Sequence, residues 1–425
     1  MDVLDRLARL QVSLKVVSPL FMYGSDQNEP EIRVASMKGM LRYWYRAIAL
    51  GRLKTWEAVR EEENRIFGSA EGGQARFLLK IDFQGKEPFI KAQLDKEACQ
   101  QGLFYMGYGP ISYNKNKPFI KEATLFDLVI LFKPDLSPED VFAVELALQG
   151  LCYFGGVGSR SRRGFGSLNI VNWEASYQTF KSIGFPGVPK TKEELKAHIQ
   201  RWQMKVGAFY SGMPDYTAFS EQTRSILYTP TCQPNCSAQM LLKEVGNRFI
   251  MLRSYGQKIN GPGGAANTDL RQVPGVGRFK PKFKDDHDLI FDFLQGKGIK
   301  QHPRRVVFGL PHNYHYSSGR LTANDAQINT FRKDEAQRRG SPLFFHVQEL
   351  DDEQLKGWVM IITMFPAKFL PDGDQIRIDE KMNRHRVGYK ANPVTLEPEV
   401  DYSILTQLLD QFEPRLEVFE HVVRC

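Results

Sequence analysis

The densest chemistry in this chain lies in twelve residues, Gly155-Gly156-Val157-Gly158-Ser159-Arg160-Ser161-Arg162-Arg163-Gly164-Phe165-Gly166, with five glycines and three arginines. Glycine lets a backbone pass close to a ligand and adopt positive φ. Arginine presents a planar fork of donors that fits phosphate. The stretch is not a Walker loop, because Phe165 follows Gly164 where Lys-Ser/Thr is required. Nor is it a dinucleotide fingerprint, because Ser161 stands where the third glycine belongs. It suits the backbone of a polyanion, approached by Gly155, Gly156, Gly158 and Ser159 and held by Arg160, Arg162 and Arg163. A flexible surface turn with incidental charge is the bland alternative.

Three other groups of residues invite chemistry. Lys38, Arg42 and Arg46 recur at four-residue spacing with no acidic residue among them, which makes a basic stripe if the segment is helical. Cys232 and Cys236, with His312 and His315 downstream, have tolerable spacing for zinc, yet the pairs are far apart and sit in unequal contexts. Incidental placement is the simpler account, and no metal is expected. His302, His312 and His315 lack an identifiable carboxylate or lysine partner, so no catalytic cluster is assigned. Among aromatic residues beside basic segments, Tyr43, Tyr108 and Tyr255 could stack on bases. Trp44 falls on an apolar face and belongs to the core, and Phe165 anchors its loop.

The elements that would position these groups follow from the apolar periodicity. Residues 11–17 alternate like a strand. A helix is expected over 37–50, capped by Ser36, with Met37, Leu41, Trp44 and Ile48 on its buried face. A second helix fits 55–65, and strands fit 75–83 and 123–132. A turn-rich loop is expected at Met106–Pro110. A helix over 141–154, capped by Ser137, runs into the glycine loop, and a strand over 165–173 leaves it. The order β-α-β-β-α-β is ferredoxin-like or RRM-like. Both helices of such a unit pack on one face of the sheet, so the stripe and the loop should flank one groove.

After a linker around 184–189, a looser second copy is expected, with helices at 191–206, 237–254, 286–294 and 402–412. Its strands fit 224–229, 306–310, 343–350, 358–365 and 416–419. Residues 255–284 read as a glycine-rich basic loop containing Lys258. The fold class is therefore α+β, with two tandem ferredoxin-like domains, residues 1–183 and 184–425, the second carrying insertions.

Composition narrows the partners. The 425 residues carry a formal net charge of +8 and a pI near 9.0, which favours an anionic partner, nucleic acid first. Five scattered cysteines make no disulfide framework and point to a reducing cytoplasm. The first residues lack the basic-then-apolar order of a signal peptide, and no charge-free apolar run reaches spanning length, so no membrane partner is expected.

The residues that carry a family resemblance are now in view. Ser36-Met37-Lys38-Gly39-Met40-Leu41-Arg42-Tyr43-Trp44-Tyr45-Arg46-Ala47, Phe67-Gly68-Ser69 and the glycine loop together resemble the RAMP proteins of CRISPR systems. The likeness is closest to the first RAMP subunit of the type III-B (Cmr) effector complex. Phe308-Gly309-Leu310-Pro311 and Arg338-Arg339-Gly340-Ser341-Pro342-Leu343 resemble shorter segments of the same subunit. The resemblance implies two ferredoxin-like domains, no cofactor, and a place beside other Cmr subunits holding the 3′ region of the guide (CRISPR) RNA and its paired target RNA. It adds Arg338 and Arg339 to the expected RNA contacts. Catalysis in that complex belongs to other subunits. The chain has no histidine before His198, which removes the imidazole used by guide-processing RAMP nucleases. Asp26 sits in a loop comparable to the one where target-slicing RAMP subunits keep an aspartate, but Gly-Ser-Asp is also ordinary turn chemistry. A RAMP ribonuclease using Asp26, and an RRM-like RNA-binding protein outside CRISPR, are the alternatives.

Overall fold

The structure, a computed structural model, describes residues 8–83, 91–92, 94, 101–112, 116–176, 182–232, 236–260, 266–316, 325–332, 335–351, 357–381 and 391–419. The first half runs β1 (Ala8–Val16), α1 (Val34–Leu53), α2 (Trp56–Phe67), β2 (Phe77–Phe83), β3 (Lys91–Ala92), α3 (Gln101–Gly107), β4 (Phe119–Ile120), β5 (Leu125–Phe132), α4 (Pro138–Phe154) and β6 (Leu168–Ala175). Its antiparallel sheet has the order β2-β5-β1-β6, with Val12 of β1 opposite both Leu128 and Trp173.

The second half runs α5 (Lys192–Val206), β7 (Arg224–Tyr228), α6 (Ala238–Arg253), β8 (Gln257–Asn260), β9 (Ala266–Val273), β10 (Gly277–Phe279), α7 (Lys284–Leu294), a 3₁₀ turn (Arg304–Phe308) and β11 (His312–His315). It continues with β12 (Asp325–Arg332), β13 (Glu335–Gln337), β14 (Leu343–Leu350), β15 (Gly357–Met364), β16 (Gln375–Lys381), β17 (Val394–Leu396), α8 (Ser403–Leu409) and β18 (Arg415–Glu417). Here the main sheet is β14-β15-β7-β18, again antiparallel, and β8–β10 and β11-β12-β16-β17 form two smaller sheets.

The apolar patterns explain how the layers stack. α1 buries Met37, Leu41 and Trp44 completely, and this face packs with α4 over the inward residues of β1, Leu10, Val12 and Leu14. The other side of that helical layer meets the second sheet. Along β15, Val359 and Ile361 join the core of α1 and α4, whereas Met360, Ile362 and Met364 join a second core with α6 and α8. A strand covered on both faces needs a continuous apolar run, and Val359–Ile362 supplies one. The resulting order is sheet, helices, sheet, helices, with Trp44 packed among Phe154, Phe219, Phe344 and Phe365 where the two halves meet.

Local chemistry sets the helix ends. Ser137 and Asp140 form a reciprocal capping box on α4, and Thr55, Thr191 and Ser237 cap α2, α5 and α6 with their hydroxyls. α1 departs from the expected start at Ser36: it begins at Val34 with no side-chain cap. Residues 106–110 are the end of α3 and the turn after it. The expected loop at 255–284 contains the three strands β8–β10, and the expected strand at 306–310 is the end of the 3₁₀ turn. Those segments alternate poorly, and pairing rather than pattern defines them.

Candidate nucleic-acid interface

The glycine loop is built to lie close to other backbone. Val157 N–H donates to Gly166 O at 2.9 Å, Gly166 N–H to Pro19 O at 3.0 Å, and Ser159 N–H to Phe21 O at 2.7 Å. Gly166 has φ +64°, and a Cβ there would lie 2.0 Å from Val157 O. A Cβ on Gly155 would lie 2.4 Å from Trp44 Nε1, and one on Gly158 would lie 2.5 Å from Phe21 O. Gly155 and Gly156 are buried, so these glycines admit the protein's own chain. On its far side the loop pairs with β14, where Phe345 N–H donates to Arg162 O at 3.2 Å. His346 of β14, fully buried, places Nδ1 2.6 Å from Gly155 O, and burial lowers its pKa to about 4.

The loop is therefore wedged between the halves, and its three arginines leave in three directions. Arg160 has φ +62° and lies over the Tyr108 ring at 6.0 Å, and loss of solvent, then the charge of Arg338, lower its pKa; much of the residue is still exposed. Arg162 lies over Phe344 at 4.8 Å and Tyr43 at 5.8 Å, and its Nη1 donates to Ser341 O at 3.1 Å. Arg163 turns back over Phe249 at 4.8 Å with Nη1 buried, so of the three arginines expected to hold a polyanion this one faces the protein's own rings.

The two segments of the second half that carried the resemblance meet each other. Leu310 and Arg339 exchange backbone hydrogen bonds at 2.8 and 3.1 Å. Gly309 has φ +106°, and a Cβ there would lie 2.7 Å from Arg339 O. Gly340 leaves room for Arg162, since a Cβ there would lie 2.1 Å from Arg162 Nη1. Arg339 donates from Nη2 to Lys368 O at 3.0 Å, and its Nε is buried without a partner.

Arg46, Arg162 and Arg339 thereby line one cleft of about 760 Å³, together with Tyr43, Lys54, Trp56, Tyr210 and Tyr216. Trp56 stands 39% exposed and meets Tyr216 edge-on. Lys368 at the rim is matched by Asp215 at 2.9 Å and Asp372 at 3.2 Å. Arg162 and Arg339 have no carboxylate partner among the described residues. With Lys54, they are cations that this cleft leaves available to an anion, framed by aromatic rings.

The stripe on α1 is different from its sequence pattern. Glu63 of α2, only 3% exposed, accepts from Arg42 Nε at 2.6 Å and from Arg46 Nη1 at 2.7 Å. Arg42 also donates to Gly68 O at 3.1 Å, satisfying a carbonyl just past the C-terminus of α2. The stripe is thus paired with an acid 17 to 21 positions away. Only Arg46 reaches the cleft, while Lys38 lies where burial, Arg42 and Lys133 lower its pKa. Lys258 belongs to β8, and its side chain lies outside the described residues.

The remaining candidates are apart from the cleft. Asp26 is exposed and accepts from Asn28 N–H at 2.8 Å, an Asx turn. Cys232 and Cys236 are bonded to each other, and His312 places Nε2 2.8 Å from Arg253 Nη2. Among the described residues no group of three His, Cys, Asp or Glu side chains is arranged to hold a metal. The sequence missed Trp56, Tyr210 and Tyr216. Trp56 follows the cap Thr55 and reads as helix, and 207–223 has no periodicity to read.

Residues 13–169 match the family model described as the RAMP superfamily. A CRISPR system Cmr subunit of Pyrococcus furiosus, Cmr1-2, is 31% identical over 173 residues, covering 37% of this chain and 92% of that protein. Another from the same organism, Cmr1-1, is 26% identical over 347 residues, covering 81% of this chain and 83% of that protein. The crystal structure of Cmr1 from Pyrococcus furiosus in its apo form has the same fold, with a TM-score of 0.53, 18% identity, and coverage of 97% of this chain and 99% of that one.

Proposed function

The chain belongs to the RAMP superfamily, among the relatives of the Cmr1 subunits of type III-B CRISPR systems, and from that premise we propose that it is an RNA-holding subunit of a Cmr effector complex. Its partners are the guide RNA, the paired target RNA and the other Cmr subunits. The architecture that serves this is a pair of ferredoxin-like units, each with its strands ordered second, third, first, fourth once the insertions are set aside. The RNA contact is the cleft of Arg46, Arg162 and Arg339, continued along the exposed Arg160, Arg338 and Tyr108.

The observation that carries this reading is the pair Arg162 and Arg339. They come from the two halves of the chain, they share one cleft, and among the described residues no carboxylate pairs with either. Guanidinium groups beside aromatic rings suit a phosphate backbone with unstacked bases. The chain holds RNA without cutting it. Asp26 supports this by serving its own turn.

The test is a nuclease footprint of guide RNA in a Cmr complex reconstituted with this chain. The expected result is protection of the 3′ region that is lost in Arg162→Ala/Arg339→Ala while the complex still assembles. Protection unchanged in that variant overturns the assignment of the cleft. RNA cleavage by the isolated chain that vanishes in Asp26→Ala overturns the non-catalytic part.

A further inference from the structure

Arg163 belongs to a second basic group on the other side of the glycine loop. Its guanidinium stands between Phe249 at 4.8 Å and Phe345 at 5.9 Å, and Nη1 is buried without a hydrogen-bond partner. Next to it is Arg253, the last residue of α6. Arg253 donates from Nη1 to the Tyr105 hydroxyl at 2.6 Å and from Nη2 to His312 Nε2 at 2.8 Å, while its Nε is buried and unpartnered. Arg305, in the 3₁₀ turn, donates from Nη1 to Arg253 O at 2.9 Å and has a buried Nε with no hydrogen bond.

The charge in this group does not balance. Asp286 is the carboxylate paired with it among the described residues, 3.6 Å from Arg305 Nε. That carboxylate already accepts from the backbone N–H groups of Arg304 and Arg305 at 2.9 and 2.8 Å. Arg163 and Arg253 have no acid among the described residues. Burial, with the three guanidiniums nearby, holds His312 well below its ordinary pKa, so the imidazole is neutral and its Nε2 accepts from Arg253. Three half-buried cations drawn together, with one acid among the described residues, are costly unless an anion joins them.

There is a place for that anion. Arg253 and Arg305 line an open cleft of about 470 Å³ with Gln101, Phe104, Tyr105 and Ser254. None of these residues lines the cleft of Arg162 and Arg339. Paired guanidiniums match the oxygens of a phosphate, and aromatic walls match a nucleoside. We propose that this second cleft binds the phosphate group of a nucleotide, held by Arg253 and Arg305 with Arg163 behind them. It goes beyond the RNA-holding role and stands without it, since the residues are separate. The phosphate could belong to a free nucleotide or to a phosphorylated RNA end.

Calorimetric titration of the full chain tests this with four probes: adenosine, adenosine 5′-monophosphate, and a three-nucleotide RNA with and without a 5′-phosphate. A phosphate-dependent gain in binding is expected, each phosphorylated probe binding more tightly than its unphosphorylated counterpart. Arg253→Gln should weaken it at least tenfold. Gln101→Glu, an exposed change at the rim, should weaken it severalfold and leaves the buried arginines in place should Arg253→Gln fail to fold. The phosphate-dependent gain should survive in Arg162→Ala/Arg339→Ala, whatever that variant does to RNA binding at the first cleft. Preference for the mononucleotide assigns a free nucleotide, and preference for the phosphorylated RNA assigns an end. No phosphate-dependent gain overturns the proposal, as does a gain unaltered in Gln101→Glu or lost in Arg162→Ala/Arg339→Ala.

Discussion

Individual side chains here act through what they are denied. Among the described residues Arg162 and Arg339 have no carboxylate partner, and that, more than charge itself, marks them out from Arg42 and Arg46. The sequence showed all four as basic residues in short motifs. It could not show Glu63, because a carboxylate 17 to 21 positions away is invisible to any rule of local spacing. His346 is a second case. It is buried and neutral, bonded to Gly155 O, with a pKa of about 4 against an ordinary 6.5. The unfolded chain therefore binds a proton that the folded chain refuses between those values. Stability from this residue is complete above pH 6.5 and is lost as pH falls toward 4, by as much as about 3 kcal/mol. Urea unfolding at pH 7 and pH 4.5 should show a smaller acid loss in His346→Asn than in the natural chain. An equal loss would mean His346 is not the group that resists protonation.

At the scale of elements, the glycine loop and the two short motifs of the second half form one construction. Two of its glycines should separate structure from function. Gly166→Ala places a Cβ 2.0 Å from Val157 O at φ +64°, and neither backbone can yield cheaply. It should cost about 1–3 kcal/mol from the backbone conformation alone, read as a lower melting temperature. Gly340→Ala places its Cβ 2.1 Å from Arg162 Nη1, the end of a flexible side chain. It should leave the melting temperature nearly unchanged and weaken binding of single-stranded RNA, because Arg162 must move. The converse pattern would show that the loop is held for its own sake. The helices other than α3 and the main strands were legible within a few residues, since α1, α4, β14 and β15 each carry a strong apolar pattern. The sheets β8–β10 and β11-β12-β16-β17 were not, because short strands with mixed faces depend on partners far along the chain. The cleft was legible in its cations and not in its walls: Trp56 looked like helix, and Tyr210 and Tyr216 lie in irregular chain.

Over the whole molecule, the division near residue 183 separates two sheets without separating two cores. Trp44 and Phe154 share one cluster with Phe344, Val359 and Phe365. Residues 1–183 alone should expose that face, bind a hydrophobic dye and give a poorly dispersed amide spectrum. A well-dispersed spectrum with a cooperative melt would show instead that the first half folds by itself. The shared core also explains how arginines from both halves can hold one ligand at fixed separation. The direct test of this is affinity for single-stranded RNA measured against salt concentration, for the natural chain and for Arg162→Ala/Arg339→Ala. At about 0.7 per phosphate contact, losing two contacts should lower the log–log slope by about 1.4 and weaken binding alike across sequences. Circular dichroism should show the variant folded. An unchanged slope in that folded variant would contradict the account, because the two arginines would then be serving the fold or a protein neighbour and not RNA.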